Sequence, residues 1–66
     1  MRVFELHDGE VTDAPGKLIV DLDFLEMLQE TPYEGRTLFS ARFSSGCLVS
    51  LTKPAFDRIL LAWKSN

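Results

Sequence analysis

The chain has 66 residues, of which 45% are hydrophobic and 26% charged, and its net charge is −3. This length allows one domain, residues 1–66, with a small core and an expected net stability of only about 3–5 kcal/mol. No signal peptide or membrane-spanning segment is visible, because the longest apolar runs, near residues 18–20 and 59–63, are far too short.

Two short strands are predicted near the start of the chain. Residues 2–7 place Phe4 and Leu6 on one face, and this alternation is typical of a half-buried strand. Turn-forming residues then predict a loop, in which Val11 is a candidate anchor. Residues 17–20 predict a second strand, a candidate partner of the first.

A short helix is predicted over residues 23–30. Asp21 or Asp23 can cap it, since carboxylates accept hydrogen bonds from the free N–H groups of a first turn. Phe24 and the leucines of this segment would then face the core. Pro32 is expected to end the helix, because the residue before a proline disfavours helical geometry.

A tight β-hairpin is predicted over residues 37–51. A three-residue loop, residues 44–46, keeps one face of the hairpin apolar, and Gly46 suits the left-handed position of such a loop. The opposed pairs expected in this register are Phe43–Cys47, Ala41–Val49 and Phe39–Leu51.

Cys47 is the only cysteine, so an intramolecular disulfide cannot form. The hairpin register predicts that its side chain points inward, as a small core residue rather than as a nucleophile or ligand. A free thiol in so small a chain indicates a reducing compartment. We therefore expect a cytoplasmic protein.

An amphipathic helix is predicted to close the chain. Thr52 is the expected N-cap and Pro54 falls in the first turn, where its missing N–H costs little. The apolar stripe of this helix contains Phe56, Ile59, Leu60 and Trp63. The predicted fold is therefore α+β, a small and mainly antiparallel sheet in the order β-β-α-β-β-α, with the C-terminal amphipathic helix packed on one sheet face.

The segment order resembles that of the small FlbD/SwrD-type flagellar proteins. The shared features are a strand, a short acidic segment ending in Thr-Pro, a hairpin with a glycine turn and a closing helix. They cover residues 18–32 and 37–60. The resemblance implies a flagellar accessory role as one alternative function.

The sequence carries no pattern of catalytic or metal-binding residues. His7 stands near Asp8, Glu10 and Asp13, but the chain has no other histidine and its one cysteine is distant. A metal site needs three or more converging ligands, and isolated acidic loops are usually solvated. The serines have no adjacent base, and no phosphate-binding glycine loop is present. We therefore expect no enzyme activity, no metal and no cofactor.

The predicted outer face of the hairpin is the main candidate binding surface. It offers Leu38 and Leu48 as an apolar pair, which we expect to be near neighbours, with Arg42 as an anchor. Arg36 and Lys53 flank it, and Tyr33, in a predicted loop beside Arg36, is a second possible contact. An ordinary solvated face is the alternative interpretation.

Charge is unevenly distributed along the chain. The first 34 residues carry two basic and nine acidic side chains, a balance of −7, and the last 32 carry five basic and one acidic, a balance of +4. Glu26 and Glu30 therefore mark a second, acidic candidate surface. The alternative is that the halves interleave in the fold and neutralise each other.

These observations favour a small non-enzymatic protein that binds another protein as a regulator or inhibitor and docks on a larger machine. Phage-encoded inhibitors of host systems have this profile, and this is an analogy of class. A second copy of the chain is another candidate partner, and a membrane is not. The runner-up is a nucleic-acid-binding transcriptional regulator that uses Arg36, Arg42, Lys53 and Arg58; the net negative charge opposes it.

Overall fold

The computed structural model describes residues 1–65 as two antiparallel sheets and one helix. The elements in chain order are β1 (Val3–Leu6), β2 (Leu18–Asp21), a single 3₁₀ turn (Leu22–Phe24), β3 (Leu25–Tyr33), β4 (Arg36–Phe43), β5 (Leu48–Leu51) and α1 (Lys53–Lys64). Strands β1 and β2 pair with each other, and β3, β4 and β5 form a meander in that order. The α+β class predicted from the sequence is confirmed.

The first two predicted strands are confirmed and pair with each other. Phe4 lies opposite Val20, and Leu6 is fully buried. Val11 is buried as well and forms an isolated bridge with Leu51 of β5. This bridge ties the long loop after β1 to the edge of the three-stranded sheet.

The helix predicted over residues 23–30 is wrong. The side chain of Asp21 does accept a hydrogen bond from the backbone N–H of Asp23, but this cap opens only one 3₁₀ turn. The chain then extends as β3, which pairs with β4 up to Tyr33. Strand pairing with β4 outweighs the helix propensity of this segment, which is a weak determinant of structure. Pro32 is tolerated because β3 is an edge strand.

The connection between β3 and β4 is a two-residue turn. Glu34 and Gly35 both have positive φ, 48° and 78°, as a type I′ turn requires. This turn matches the right-handed twist of the two strands. The turn joins β3 directly to β4. The sequence pattern had instead indicated a loop that follows a helix.

The predicted register of the β4–β5 hairpin is confirmed. Phe39 pairs with Leu51 and Ala41 with Val49. Gly46 has φ 91° and donates its N–H to the Phe43 carbonyl at 2.9 Å, as expected for this loop.

Cys47 was predicted to be buried, and this is wrong because its side chain is exposed. It directly follows the loop, on the side of Phe43 and Val49, where a groove between the two sheets begins. The core ends before it reaches Cys47, so the residue is left exposed.

Helix α1 begins as its sequence predicts. Thr52 is the N-cap, and its hydroxyl accepts a hydrogen bond from the N–H of Ala55 at 3.3 Å. Phe56 and Ile59 are buried in the same cluster as the inward residues of β4 and β5, and the Phe56 ring lies 5.0 Å from that of Phe39. The full core comprises Leu6, Val11, Leu22, Leu25, Ala41, Phe43, Val49, Leu51, Ala55, Phe56 and Ile59.

Arg2 connects the start of the chain to the end of the helix. Its Nη2 atom donates to the carbonyl oxygens of Ala62, Trp63 and Ser65 at 2.8, 3.1 and 2.9 Å. The last carbonyls of a helix have no partner within the helix, so a cation there satisfies them and complements the helix dipole.

The acidic and basic halves of the sequence interleave. Arg58 of α1 pairs with Glu10 at 2.7 Å, and Arg42 of β4 pairs with Glu26 of β3 at 3.5 Å. Both pairs join a cation from the second half to a carboxylate from the first. The strong contrast along the sequence therefore becomes a mixed surface.

The β3–β4 hairpin is longer than the core that it packs on. Every residue from 29 to 38 is exposed, and we call this segment the hairpin tip. Residues 25–28 and 39–43, the hairpin base, supply Leu25, Ala41 and Phe43 to the core. The longest dimension of the molecule is 37 Å, against 23 and 21 Å for the other two.

Candidate functional site

The face of the three-stranded sheet that points away from the core is the candidate site, and we call it the outer face. Directly opposed residues of antiparallel strands share a face, so the pairing defines its rows. The rows, from base to tip, are Met27–Arg42–Leu48, Gln29–Ser40–Ser50, Thr31–Leu38 and Tyr33–Arg36.

The two leucines of the outer face stand at the ends of a shallow hollow. Leu38 and Leu48 are 42% and 59% exposed. The sequence had predicted that they are near neighbours, and this is wrong, because Leu48 lies opposite Arg42 and the row of Ser40 and Ser50 separates it from Leu38. The small serines leave space between the larger leucines. The hollow has a volume of about 620 Å³, within the range of ligand sites.

The charged side chains that line this hollow are all basic. Its lining includes Arg36 and Lys53 and no carboxylate side chain. Within residues 1–65, Arg36 makes no ion pair, while Lys53 pairs with Asp57 of its own helix at 3.0 Å. That pair is solvent-exposed and joins residues four apart on a helix, so it stabilises by only about 0.3–0.5 kcal/mol.

The two acidic candidates lie on different faces. A bulge in β3 places Glu26 beside the Nε atom of Arg42, at the base end of the outer face. Glu30 pairs with Phe39, whose ring contacts α1, so Glu30 belongs to the opposite face. The structure therefore brings together six of the seven residues that the sequence nominated, namely Glu26, Tyr33, Arg36, Leu38, Arg42 and Leu48.

Beside the hollow, strand β4 has an unpaired edge. Phe43 donates its N–H to Cys47, so its backbone points toward β5. Backbone direction alternates along a strand, so Thr37 points its N–H and C=O to the same side. Strand β5 ends at Leu51, opposite Phe39, and the chain then enters α1. No strand of the described chain lies opposite Thr37. The sequence pattern gave no sign of this edge, because it depends on where β5 stops.

A second apolar surface lies between the two sheets. This inter-sheet groove has a volume of about 500 Å³, and Ile19 and Phe24, each 59% exposed, lie along it with Cys47. The sequence had predicted Phe24 in the core. It is displaced because the 3₁₀ turn replaces the helix that would have turned it inward.

The titratable groups with shifted pKa values are structural. Hydrogen bonds from the backbone N–H groups of Arg2 and Asp23 hold the pKa of Asp21 below its ordinary value of 3.8. A hydrogen bond from the His7 N–H, together with Arg58, holds the pKa of Glu10 below 4.5. Both carboxylates bind the protein's own backbone.

Within residues 1–65, no group of three or more potential ligands could hold a metal ion. In the same part of the chain, no helix has the length and apolar character needed to cross a membrane. Every buried side-chain nitrogen and oxygen of these residues has a hydrogen-bond partner.

Comparisons with known protein families, with curated protein sequences and with solved structures found no match. The similarity to FlbD/SwrD-type proteins therefore rests on the segment pattern alone. One part of that pattern, the acidic segment ending in Thr-Pro, is strand β3 here.

Proposed function

We propose that this protein is a small non-enzymatic binding module that docks on another protein through the outer face of its three-stranded sheet. The observation that carries the proposal is the hollow between Leu38 and Leu48, two exposed leucines on the face of the sheet that points away from the core. A regulator or inhibitor of a larger machine, of the phage-encoded type, is the class that we favour.

The composition of the outer face supports a protein partner. Interfaces concentrate their binding energy in aromatic, arginine and large apolar anchors surrounded by polar groups. Tyr33, Arg36 and Leu38 form such a set on the hairpin tip, and each is exposed. Ser40 and Ser50, in the next row toward the base, are small enough to admit anchors from a partner.

Nucleic-acid binding has less support, because carboxylates, which repel phosphate, lie beside most of the cations it would use. Arg58 contacts both carboxylate oxygens of Glu10, at 2.7 and 2.8 Å, and lies over the Phe4 ring at 4.8 Å. Arg42 is paired with Glu26. Phosphate binding gains its strength from several cations acting together, and both these carboxylates and the net charge of −3 oppose it.

The cytoplasm remains our proposed location. Cys47 is exposed, and an exposed thiol is prone to form intermolecular disulfides in an oxidising compartment. This supports a reducing environment.

The test is affinity capture with matched variants. Leu38→Ser combined with Leu48→Ser should leave thermal stability close to that of the wild type, because neither side chain enters the core. The same double variant should lose at least about nine-tenths of the captured partner, because central apolar anchors carry most interface energy.

Two control variants locate the surface. Leu61→Ser removes a leucine of α1 that is 69% exposed and does not line the hollow, and this variant should capture normally. Ile19→Ser combined with Phe24→Ser alters the inter-sheet groove. A partner lost from the groove variant but kept by the Leu38/Leu48 variant would contradict the proposal. A partner that proves to be a second copy of the chain would show instead as a loss of dimer in sedimentation.

A further inference from the structure

We infer that the outer-face hollow takes an extended, acidic peptide segment of its partner, which adds to the unpaired edge of β4 at Thr37. This inference deepens the proposed function and rests on it. Three features of the described residues support it, namely the free backbone edge, the shape of the hollow and the sign of the charges around it.

The free edge fixes the conformation of the occupant. Thr37 directs one N–H and one C=O beyond the end of β5, and an added strand pairs with such groups through its own backbone. The space is limited on one side by Lys53, where α1 begins, and continues on the other side to Arg36 at the turn. An extended chain fits between them, whereas a helix offers no free backbone groups to Thr37.

The hollow beside the edge fixes the side chains of one face of the occupant. Successive side chains of a strand point to opposite faces, so every second residue of the added segment lies over the outer face. There it meets Leu38 and the small side chains of Ser40 and Ser50. A β-branched or other medium-sized apolar side chain fits in this space without displacing the leucine.

The charges around the hollow favour an occupant with negative charge. Arg36 and Lys53 line the hollow, and its lining contains no carboxylate. Arg36 makes no ion pair within residues 1–65. Lys53 can leave Asp57 at little cost because that pair is exposed. Opposite charges across an interface favour the matching partner and raise the rate of association. An acidic segment is therefore preferred, although the chain as a whole is acidic.

The experiment uses defined peptides of about six residues, the length of a typical strand. The first has a central valine and aspartate at all the remaining positions, so that acidic side chains lie on both faces of the added strand, and the second replaces each aspartate with lysine. The third is the acidic peptide with its backbone amides N-methylated. Fluorescence anisotropy should show the acidic peptide binding at least about tenfold more tightly than the lysine peptide, with the difference shrinking at high salt. N-methylation should abolish binding, because it removes the donors of the added strand.

Two variants place the peptide on the structure. Arg36→Glu should reverse the preference between the acidic and lysine peptides. Thr37→Pro should fold normally, because its N–H faces the unpaired edge, and should lose the peptide. Thr37→Ala, which keeps the N–H, is the control and should bind like the wild type. Amide exchange at Thr37 should slow when the acidic peptide is added to the wild-type protein.

The results separate this inference from the proposed function. Equal binding of the acidic and lysine peptides, or undiminished binding of the N-methylated one, would overturn the inference. Binding of a single-stranded oligonucleotide in preference to the acidic peptide would also overturn it. If these peptides fail while the Leu38/Leu48 double variant still loses its partner, the docking face stands and the acidic strand does not.

Discussion

The base and the tip of the β3–β4 hairpin share one ladder of pairs but have different surroundings. At the base, Ala41 and Phe43 are buried against the helix and the first sheet. At the tip, every side chain is exposed, and the two strands are held by their own pairing and by the turn at Glu34 and Gly35. An isolated two-stranded hairpin is at best marginally stable in water. The base therefore stabilises the tip, and tip residues are free to vary with function.

The largest expected difference in stability is between removing an aromatic ring that packs on the hairpin base and removing one from the hairpin tip. Phe56→Ala should destabilise the protein by about 3 kcal/mol or more, because the ring packs beside Phe39 in the core. Tyr33→Ala, at the exposed tip, should change stability by less than about 0.5 kcal/mol. Urea unfolding measures both. A similar loss in the two variants would mean that the tip is covered by part of a larger assembly.

A smaller difference is expected from the two hairpin glycines. Gly46 and Gly35 both have positive φ, and an added Cβ would meet nothing within 4 Å at either site. Strain alone then sets the cost, about 1 kcal/mol for Gly46→Ala. Gly35→Ala should cost less, because the tip can open locally without unfolding the core. Unfolding curves compare the pair, and a larger loss from Gly35→Ala would show that the tip and base unfold together.

The turn residue Glu34 offers a gain in stability. It has φ 48°, a conformation that asparagine tolerates better than glutamate. Glu34→Asn should therefore stabilise the hairpin by up to about 0.5 kcal/mol. Amide exchange near the turn should slow, while exchange in the base should not change. Faster exchange at the tip would contradict the assigned turn geometry.

The smallest effect concerns pH. The folded pKa values of Asp21 and Glu10 are held below the ordinary 3.8 and 4.5 by hydrogen bonds to the backbone. The stability they contribute is complete above the ordinary values and is lost as the pH falls through the lower, folded ones. The melting temperature should therefore drop modestly below about pH 4.5, since solvent reaches these bonds.

Two variants check the source of this pH dependence. Asp21→Asn combined with Glu10→Gln should flatten the acid limb of the stability curve. Glu30→Gln is the control at the tip, because the Glu30 side chain makes no hydrogen bond or ion pair with the described residues. An unchanged acid limb in the first variant would show that other carboxylates cause the loss of stability.

The parts of the fold that the sequence predicted are those set by local chemistry. The register of β4 and β5 follows from alternation and from Gly46, and the start of α1 follows from Thr52. The prediction failed for β3, whose leucines and glutamates are compatible with a helix. Pairing with β4 determined its structure, and pairing across a turn leaves little trace in a single segment.

The candidate site was predictable in its residues but not in its shape. The alternation of β4 places Leu38 and Arg42 on the outer face whatever the rest of the chain does. The hollow depends on the position of β3 and on the residue at which β5 ends. The edge at Thr37 and the groove at Ile19 depend on the same long-range pairing, so neither could be read from the sequence pattern.

The hydrogen bonds of Arg2 determine when the structure can be completed. They join residues as far as 63 positions apart, whereas the meander closes through loops of two and three residues. Bringing distant segments together loses more chain entropy than closing a short loop. We therefore expect the meander to form early and the first sheet to dock on the helix last. Arg2→Ala should then speed unfolding and leave the refolding rate nearly unchanged, as stopped-flow kinetics would show. During synthesis, the fold can therefore be completed only after Ser65 has left the ribosomal exit tunnel.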